Sequence, residues 1–536
     1  MTTGADIIGQ ALAEAGCTHA FGIPGGEVLA LMEGLDTAGL KFVLTKHENA
    51  AGFMAEGLWH ATGAPGVLIA TLGPGVANAV NTVANAYQDK VPLIFLTGCV
   101  DRADAESYTH QVFDHQAMMR PVVKASFRAR RGAVGAMIAK AIAIALEGQP
   151  GPVHVDVPIG VAEAETTEKA PPKPTVYAAG VPVEDRIFRD AVKQLRTAVQ
   201  PLAIAGVDAV NEGASASIRA FCEAQNIPLI TTYKGKGLID ESHPLALGGA
   251  GLSPRADDVL MPLIEASDCV LLLGYDPIEM RINWREPWGA DKTVIEVAQV
   301  PRSHGMHHVS HTLPGRVGET LAILSRALDT PPKRWPEAEP AAVKKELAAM
   351  FAGLDSWGPH AVFRTLRDVM PSETVVTADS GAHRILLSQM WPCTAPRRML
   401  QSSALCTMAC SVPIAAGFKM GQADAPVIAF VGDAGLEMGL GELATFRDLG
   451  LPLIICVLVD ESLALIELKQ RRTQRSNLGV DFGGTDFPAV AKAMGAHGVW
   501  VDDEAVLHEE AKAALSRDGV TILAARIGPR AYDGAF

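Results

Sequence analysis

Short runs of β-branched and other apolar residues recur along this chain, and Ala-rich or amphipathic stretches of helical period separate them. FVLT, GVLIAT, PLIFLTG and PVHVDVP fall before residue 160. PLAIAG, PLITT, CVLLLG and TVIEV fall between 201 and 297, and TVVTAD, APVIAFVGD, LPLIICVLVD and VTILAARIG fall after 373. A run with no polar alternation is buried on both faces, and such strands with helices between them belong to parallel sheets. The pattern predicts doubly wound α/β architecture, and its threefold recurrence predicts three such domains in succession. Two stretches rich in Pro and charge, AEAETTEKAPPKPTVYAAGVP (162–182) and TPPKRWPEAEP (330–340), lack hydrophobic period and read as linkers. The expected domains are therefore 1–165, 184–329 and 345–536.

Composition narrows the function classes. With 46 Lys and Arg against 60 Asp and Glu, the net charge is −14. That balance argues against nucleic acid or an anionic membrane as partner, because both need a basic face. Eight cysteines without a C-x-x-C pair are too few for a disulfide scaffold. Cys99, Cys269 and Cys456 sit in apolar runs and read as core. The longest clean apolar stretch, Leu451 to Val459, is nine residues, too short for a bilayer. MTTGADIIGQALAEAG has no basic region or long apolar core of a secretory signal; Ile7, Ile8, Ala11, Leu12 and Ala15 follow a helical period instead. The expected location is cytoplasmic.

The strongest chemical signal lies in APVIAFVGDAGLEMGLGELATFRDLGLPLIICVLVDES. A strand ends at Gly432-Asp433-Ala434-Gly435, a helix follows, and a second strand ends at Asp460, 27 residues after Asp433. A β-α-β unit makes the strands parallel and puts both acids at carboxyl ends, where open α/β sheets bind ligands. Asp433 alone could cap the following helix, and Asp460 alone could begin a turn. Side by side they need a cation, and Mg2+ takes one or two carboxylates together with phosphate oxygens. Gly432 and Gly435 leave backbone N–H groups free for a phosphate.

This segment resembles the thiamine-diphosphate motif, which opens with Gly-Asp-Gly and closes with Asn-Asn at similar spacing. Here Gly432-Asp433-Ala434 and Val459-Asp460 stand in those places. A second constellation is Lys46-His47-Glu48-Asn49, after the strand Phe42–Thr45. A carboxylate at a helix start is favoured by the dipole alone, and Glu56 is a second acid on the same helix. The segment is nevertheless similar to the His-Glu element of thiamine-dependent decarboxylases. Together the segments resemble the acetolactate synthase and 2-oxo-acid decarboxylase superfamily over essentially the whole chain, most nearly its catabolic, FAD-independent acetolactate synthases. The domains would then be pyrimidine-binding, central and diphosphate-binding.

The resemblance implies roles. Asp433, Asp460 and the backbone carbonyl of Ser462 would hold Mg2+. Glu48 would contact N1′ of the aminopyrimidine, so that the 4′-nitrogen can take the proton from thiazolium C2. FGIPGGEV, with Pro24 and Gly25, and LGPGVANAV, with Gly73 and Asn78, resemble cofactor loops. Gln111 in Tyr108-Thr109-His110-Gln111 would approach substrate, with His110 a candidate for proton handling. Gly381, Ala382 and His383 resemble a diphosphate-contacting Gly-x-His. Gly432, Ala434 and Gly435 would complete that cradle, and Met408 would hold the cofactor bent. Cys406 and Cys410 beside it read as packing. Leu463, Leu465 and Ile466 would face substrate. Aldehyde-releasing relatives have a Glu in place of Ile466 and paired His in place of His110-Gln111, so an apolar Ile466 favours carboligation.

The implied activity is decarboxylation of a pyruvate-like 2-oxo acid and ligation to a second carbonyl, with thiamine diphosphate and Mg2+ as cofactors. Gly274-Tyr275-Asp276-Pro277-Ile278-Glu279 resembles catabolic acetolactate synthase and implies no FAD. Glu48 of one subunit would meet Asp433 of another, in a homodimer or homotetramer with active sites at the interface. The alternatives are another thiamine-diphosphate decarboxylase, acyltransferase or C–C hydrolase, and a non-catalytic nucleotide-binding scaffold.

Overall fold

The computed structural model describes residues 2–176, 180–281, 284–300, 304–353 and 356–536. Three six-stranded sheets follow one another along the chain. The first contains β1 (His19–Ile23), β2 (Lys41–Leu44), β3 (Gly66–Ala70), β4 (Leu93–Cys99), β5 (Ala125–Arg128) and β6 (Val153–Pro158), in the order β2-β1-β3-β4-β6-β5. The second contains β7 (Pro201–Ala205), β8 (Leu229–Thr231), β9 (Ala246–Gly249), β10 (Cys269–Leu273), β11 (Thr293–Ala298) and β12 (His311–Pro314), in the order β12-β11-β10-β7-β8-β9. The third contains β13 (Val375–Ala378), β14 (Met399–Gln401), β15 (Val427–Gly432), β16 (Leu453–Val459), β17 (His497–Val501) and β18 (Val520–Arg526), in the order β14-β13-β15-β16-β18-β17. Strands pair parallel throughout, as Val431 with Val457 and Leu68 with Phe95 illustrate.

The architecture is the three-domain α/β arrangement that the apolar runs imply. It has two strands per sheet beyond those the runs mark: β1, β5, β9, β12, β14 and β17. All but β1 lie at a sheet edge. β5, β12 and β17 are only partly buried, so they lack the continuous apolar run that marks an inner strand. The expected N-terminal helix forms at Gly4–Glu14, with a capping box between Thr3 and Asp6. No helix among the described residues is long and apolar enough to cross a membrane.

The first and third sheets share a core, and the contact between them fixes where the candidate residues point. Helix Glu48–Thr62, which follows β2, crosses helix Ser411–Gly421, which follows β14. Two glycines set the distance. A Cβ on Gly57 would lie 2.0 Å from the Ile414 carbonyl oxygen, and one on Gly417 would lie 1.9 Å from that of Met54. Glu442 clasps the turn before the first helix, its Oε1 accepting the Lys46 and His47 N–H groups at 2.9 Å each.

The middle sheet has the order of dinucleotide-binding domains, with its switch point between β7 and β10. Side chains of the first domain reach into that crevice. Gln149 donates to Asp208 Oδ2 (2.8 Å), and Lys90 Nζ lies 3.6 Å from Asp276 Oδ2.

Candidate active site

β15 and β16 are adjacent, with Gly432 opposite Leu458, so Asp433 and Asp460 follow neighbouring strand tips. Asp433 Oδ2 accepts the N–H groups of Asp460 (3.1 Å) and Glu461 (2.7 Å), and Oδ1 accepts that of Ala434 (2.9 Å). Glu461 takes a left-handed φ of 55° to present its N–H. Burial nevertheless raises the Asp433 carboxyl above its ordinary range. Burial, and then the charge of Asp433, push Asp460 up to about 8. Neither acid has an ion-pair partner among the described residues, so the two carboxylates repel across a partly dry gap.

A cavity of about 400 Å³ opens on this pair. Gly381, Ala382, His383, Gly432, Ala434 and Gly435 line it, as do Ser462 and the apolar Met408, Leu463, Leu465 and Ile466. Gly435 has no room for a side chain, since a Cβ there would lie 2.3 Å from Asp379 Oδ2. Asp379, buried at the tip of β13, also accepts the N–H groups of Ala409 (2.9 Å), Cys410 (2.8 Å) and Ser411 (3.3 Å), which anchors the chain just after Met408. Burial, and then the Arg384 charge, lower His383 to about 3, so its ring is neutral. His383 Nε2 and Ser380 Oγ are buried with no hydrogen-bond partner among the described residues.

The remaining candidates form a second group. Glu48 begins its helix, is buried, and accepts from Asn78 Nδ2 through Oε2 (3.0 Å). Gly73 has φ 70° and abuts Gln111, and its N–H donates to His115 Nε2 at 3.3 Å. His115 is fixed in turn by Asp156 at 2.8 Å. Gly25 lies against Thr71, and Pro24 beside it is exposed. His110 stands on an exposed loop, edge-on to Tyr108. None of these residues lines the cavity of Asp433 and Asp460. Within one chain the candidates therefore form two half-sites. Glu56, the alternative acid, is buried beside Asn85 and His60, and it too is absent from the cavity wall.

Residues 2–118 match the N-terminal TPP-binding domain of thiamine pyrophosphate enzymes, 188–324 the central domain and 379–525 the C-terminal TPP-binding domain. The chain belongs to the thiamine pyrophosphate enzymes. It is 28% identical over 555 residues to a probable acetolactate synthase large subunit of Methanococcus aeolicus, covering 98% of this chain and 92% of that protein. It is 26% identical over 536 residues to an acetolactate synthase of Bacillus subtilis (97% and 92%) and 29% over 520 residues to one of Mycobacterium avium (94% and 83%).

The cavity suits the cofactor of this family. Its lining includes Gly381, Gly432 and Gly435, the residues Ser380 and His383 with their orphaned polar atoms, and the apolar side chains of Met408, Leu463, Leu465 and Ile466. Several residues of this thiamine pyrophosphate enzyme escaped sequence reasoning. Arg281, from the middle domain, and Arg384 line the cavity, yet neither belongs to a motif that spacing alone would reveal. Cys406 does not pack as expected: it is exposed on the cavity rim, 3.3 Å from Arg384 Nη2, whereas Cys410 is buried. Tyr532, in the C-terminal tail, lines the same cavity, and no sequence signal links it to residues 433–466.

Proposed function

We propose that the enzyme decarboxylates a 2-oxo acid of the pyruvate class and joins the remaining two-carbon unit to a second carbonyl. The carrying observation is the pair Asp433 and Asp460, without an ion-pair partner among the described residues, in a cavity that also has apolar lining. Asp433, Asp460 and the Ser462 carbonyl would hold Mg2+, and Ser380, His383 and the Gly432–Gly435 turn would hold the diphosphate. Thiamine diphosphate, when bound, supplies the electron sink for the bond that breaks as CO2 leaves.

The chain's own residues do the rest. Glu48 Oε2 is engaged by Asn78, which leaves Oε1 to hydrogen-bond the aminopyrimidine N1′ and hold a proton there. Met408, in the cavity lining, would prop the cofactor's rings. Arg281 is half-buried without a hydrogen-bond or ion-pair partner among the described residues, and burial and Arg384 lower its pKa. A guanidinium so placed suits the carboxylate of a 2-oxo acid. Ile466 offers no proton, so the reacting carbon stays available to a second carbonyl.

The separation of the two half-sites supports self-association, with Glu48 of one copy facing Asp433 of another. Leu44 and Phe113 are exposed in the first domain, and Met438 and Ile466 in the third. Apolar surface in both domains fits a symmetric pair of interfaces. The filled crevice of the middle sheet favours an enzyme without FAD, and a flavin absorption band in the purified protein would contradict that. The activity is tested by a panel of 2-oxo acids with thiamine diphosphate and Mg2+, scoring CO2 and identifying products by mass. A 2-hydroxy-3-oxo acid is the expected product. Stoichiometric aldehyde, or no CO2 from any 2-oxo acid, would overturn the reading.

A further inference from the structure

The last residues of the chain return to the cofactor cavity. Tyr532 packs beneath helix Ala464–Arg472, within the core that holds Ala464, Leu465 and Leu468, and its ring centroid lies 6.4 Å from that of Phe536. Polar contacts on its C-terminal side hold it there. Asp533 takes both Arg471 Nη1 (3.0 Å) and Arg471 Nη2 (2.5 Å), and the Gly534 carbonyl accepts from Arg255 Nη1 (2.6 Å). The ring is thus fixed, and it forms part of the wall beside Asp433 and Asp460.

Its hydroxyl is buried and has no hydrogen-bond partner among the described residues. A buried phenol ordinarily finds one. The neighbouring acids do not serve: Asp433 is satisfied by three backbone N–H groups, and Asp460 Oδ1 by that of Ser462. Burial and the charges of Asp460 and Asp433 hold the phenol in its protonated form. What the geometry leaves is a fixed, unpartnered donor on a residue of the cavity wall, close enough to Asp460 and Asp433 to feel their charges.

We propose that Tyr532 is a cofactor-binding residue whose hydroxyl donates a hydrogen bond to an oxygen of the cation–diphosphate group held at Asp433 and Asp460. That oxygen belongs either to the diphosphate or to a water on the cation. The proposal rests on the reading of this cavity as the thiamine diphosphate site.

Tyr532→Phe keeps the ring and removes only the hydroxyl. Calorimetric titration of the metal-free, cofactor-free variant with thiamine diphosphate at saturating Mg2+ should show affinity roughly tenfold weaker than wild type. The melting temperature of the unliganded protein should stay equal or rise, because the lost group had no partner. Titration with Mg2+ at saturating thiamine diphosphate separates the sources: a weakened Mg2+ midpoint points to a cation-bound water, and an unchanged one to the diphosphate. Unaltered affinity for both would overturn the proposal. So would a lowered melting temperature with unaltered affinity, which would mark a structural water as the true partner. Asp433→Ala is the control. If it abolishes cofactor binding while Tyr532→Phe does not weaken it, only the tyrosine assignment fails; if Asp433→Ala also binds normally, the cavity reading itself fails.

Discussion

The first and third domains wind their strands in the same order, twelve strands apart along the chain, yet their strand tips carry different chemistry. β15 and β16 lead to Asp433 and Asp460, two neighbouring acids without a cationic partner among the described residues. The corresponding β3 and β4 lead to Thr71 and Asp101, and both are tied within their own domain. Thr71 Oγ1 donates to Glu27 (2.7 Å), and Asp101 Oδ2 accepts the Gly160 N–H (3.1 Å). The first domain instead carries its acid, Glu48, at the start of the helix after β2. The equivalent helix of the third domain begins at Ser411 and has none. One strand order thus carries two half-sites, with the acids after different strands. Paired acids call for a cation and an anionic group, whereas a single acid held by Asn78 suits a heterocycle nitrogen.

The sharpest way to break that comparison is to disable each half-site in turn. Glu48→Gln and Asp433→Ala should each lower kcat/KM by about 10²–10⁴-fold. Mixing the two inactive proteins under subunit exchange should restore about a quarter of wild-type activity, because half the pairs are mixed and each has one intact site of two. Exchange without recovery would mean that both acids act within one chain. A smaller effect is expected where the equivalent helices cross. Gly57→Ala or Gly417→Ala drives a Cβ into a facing carbonyl and should destabilise the protein by about 1–3 kcal/mol in chemical denaturation. An unchanged midpoint would show that the domains do not meet at these glycines.

The sequence exposes what local chemistry dictates and hides what distant segments contribute. Every inner strand but β1 was legible, because burial on both faces leaves no polar alternation. Edge strands such as β5 and β17 were not, since their partial burial resembles a loop. Asp433 and Asp460 stood out through strand context and spacing, and the structure places them side by side. Glu48 needed a family resemblance, because a carboxylate at a helix start has an ordinary explanation. Arg281, Asp379 and Tyr532 carry no local signal of their placement. Arg281 enters from another domain, Asp379 acts by gathering backbone N–H groups across a loop, and Tyr532 arrives from the tail 72 residues after Asp460. His110 illustrates the reverse: its motif drew attention, and the structure leaves it on an exposed loop.

A last contrast is between the two acids of one helix. Glu56 lies two turns beyond Glu48, and its Oε2 accepts from Asn85 (3.0 Å). Its Oε1 has no hydrogen-bond partner among the described residues and faces His60 Nε2 at 3.6 Å. That imidazole is kept neutral by burial and by the charges of Arg397 and Lys234. Burial therefore dominates at Glu56 and pushes its carboxyl up to about 8 from an ordinary 4.5. Between those values the folded chain binds the proton and the unfolded chain does not, so this group's contribution favours folding at low pH and is lost as pH rises through 8. Glu56→Gln removes the linkage while keeping the shape. The melting temperature of the variant relative to wild type should rise from pH 5 to pH 8, at roughly 2–4 °C per kcal/mol. Asp460 titrates in the same window, but it is common to both proteins and cancels in the difference. A difference independent of pH would mean that Glu56 is already ionised in the folded protein at pH 5 and that burial does not hold its proton.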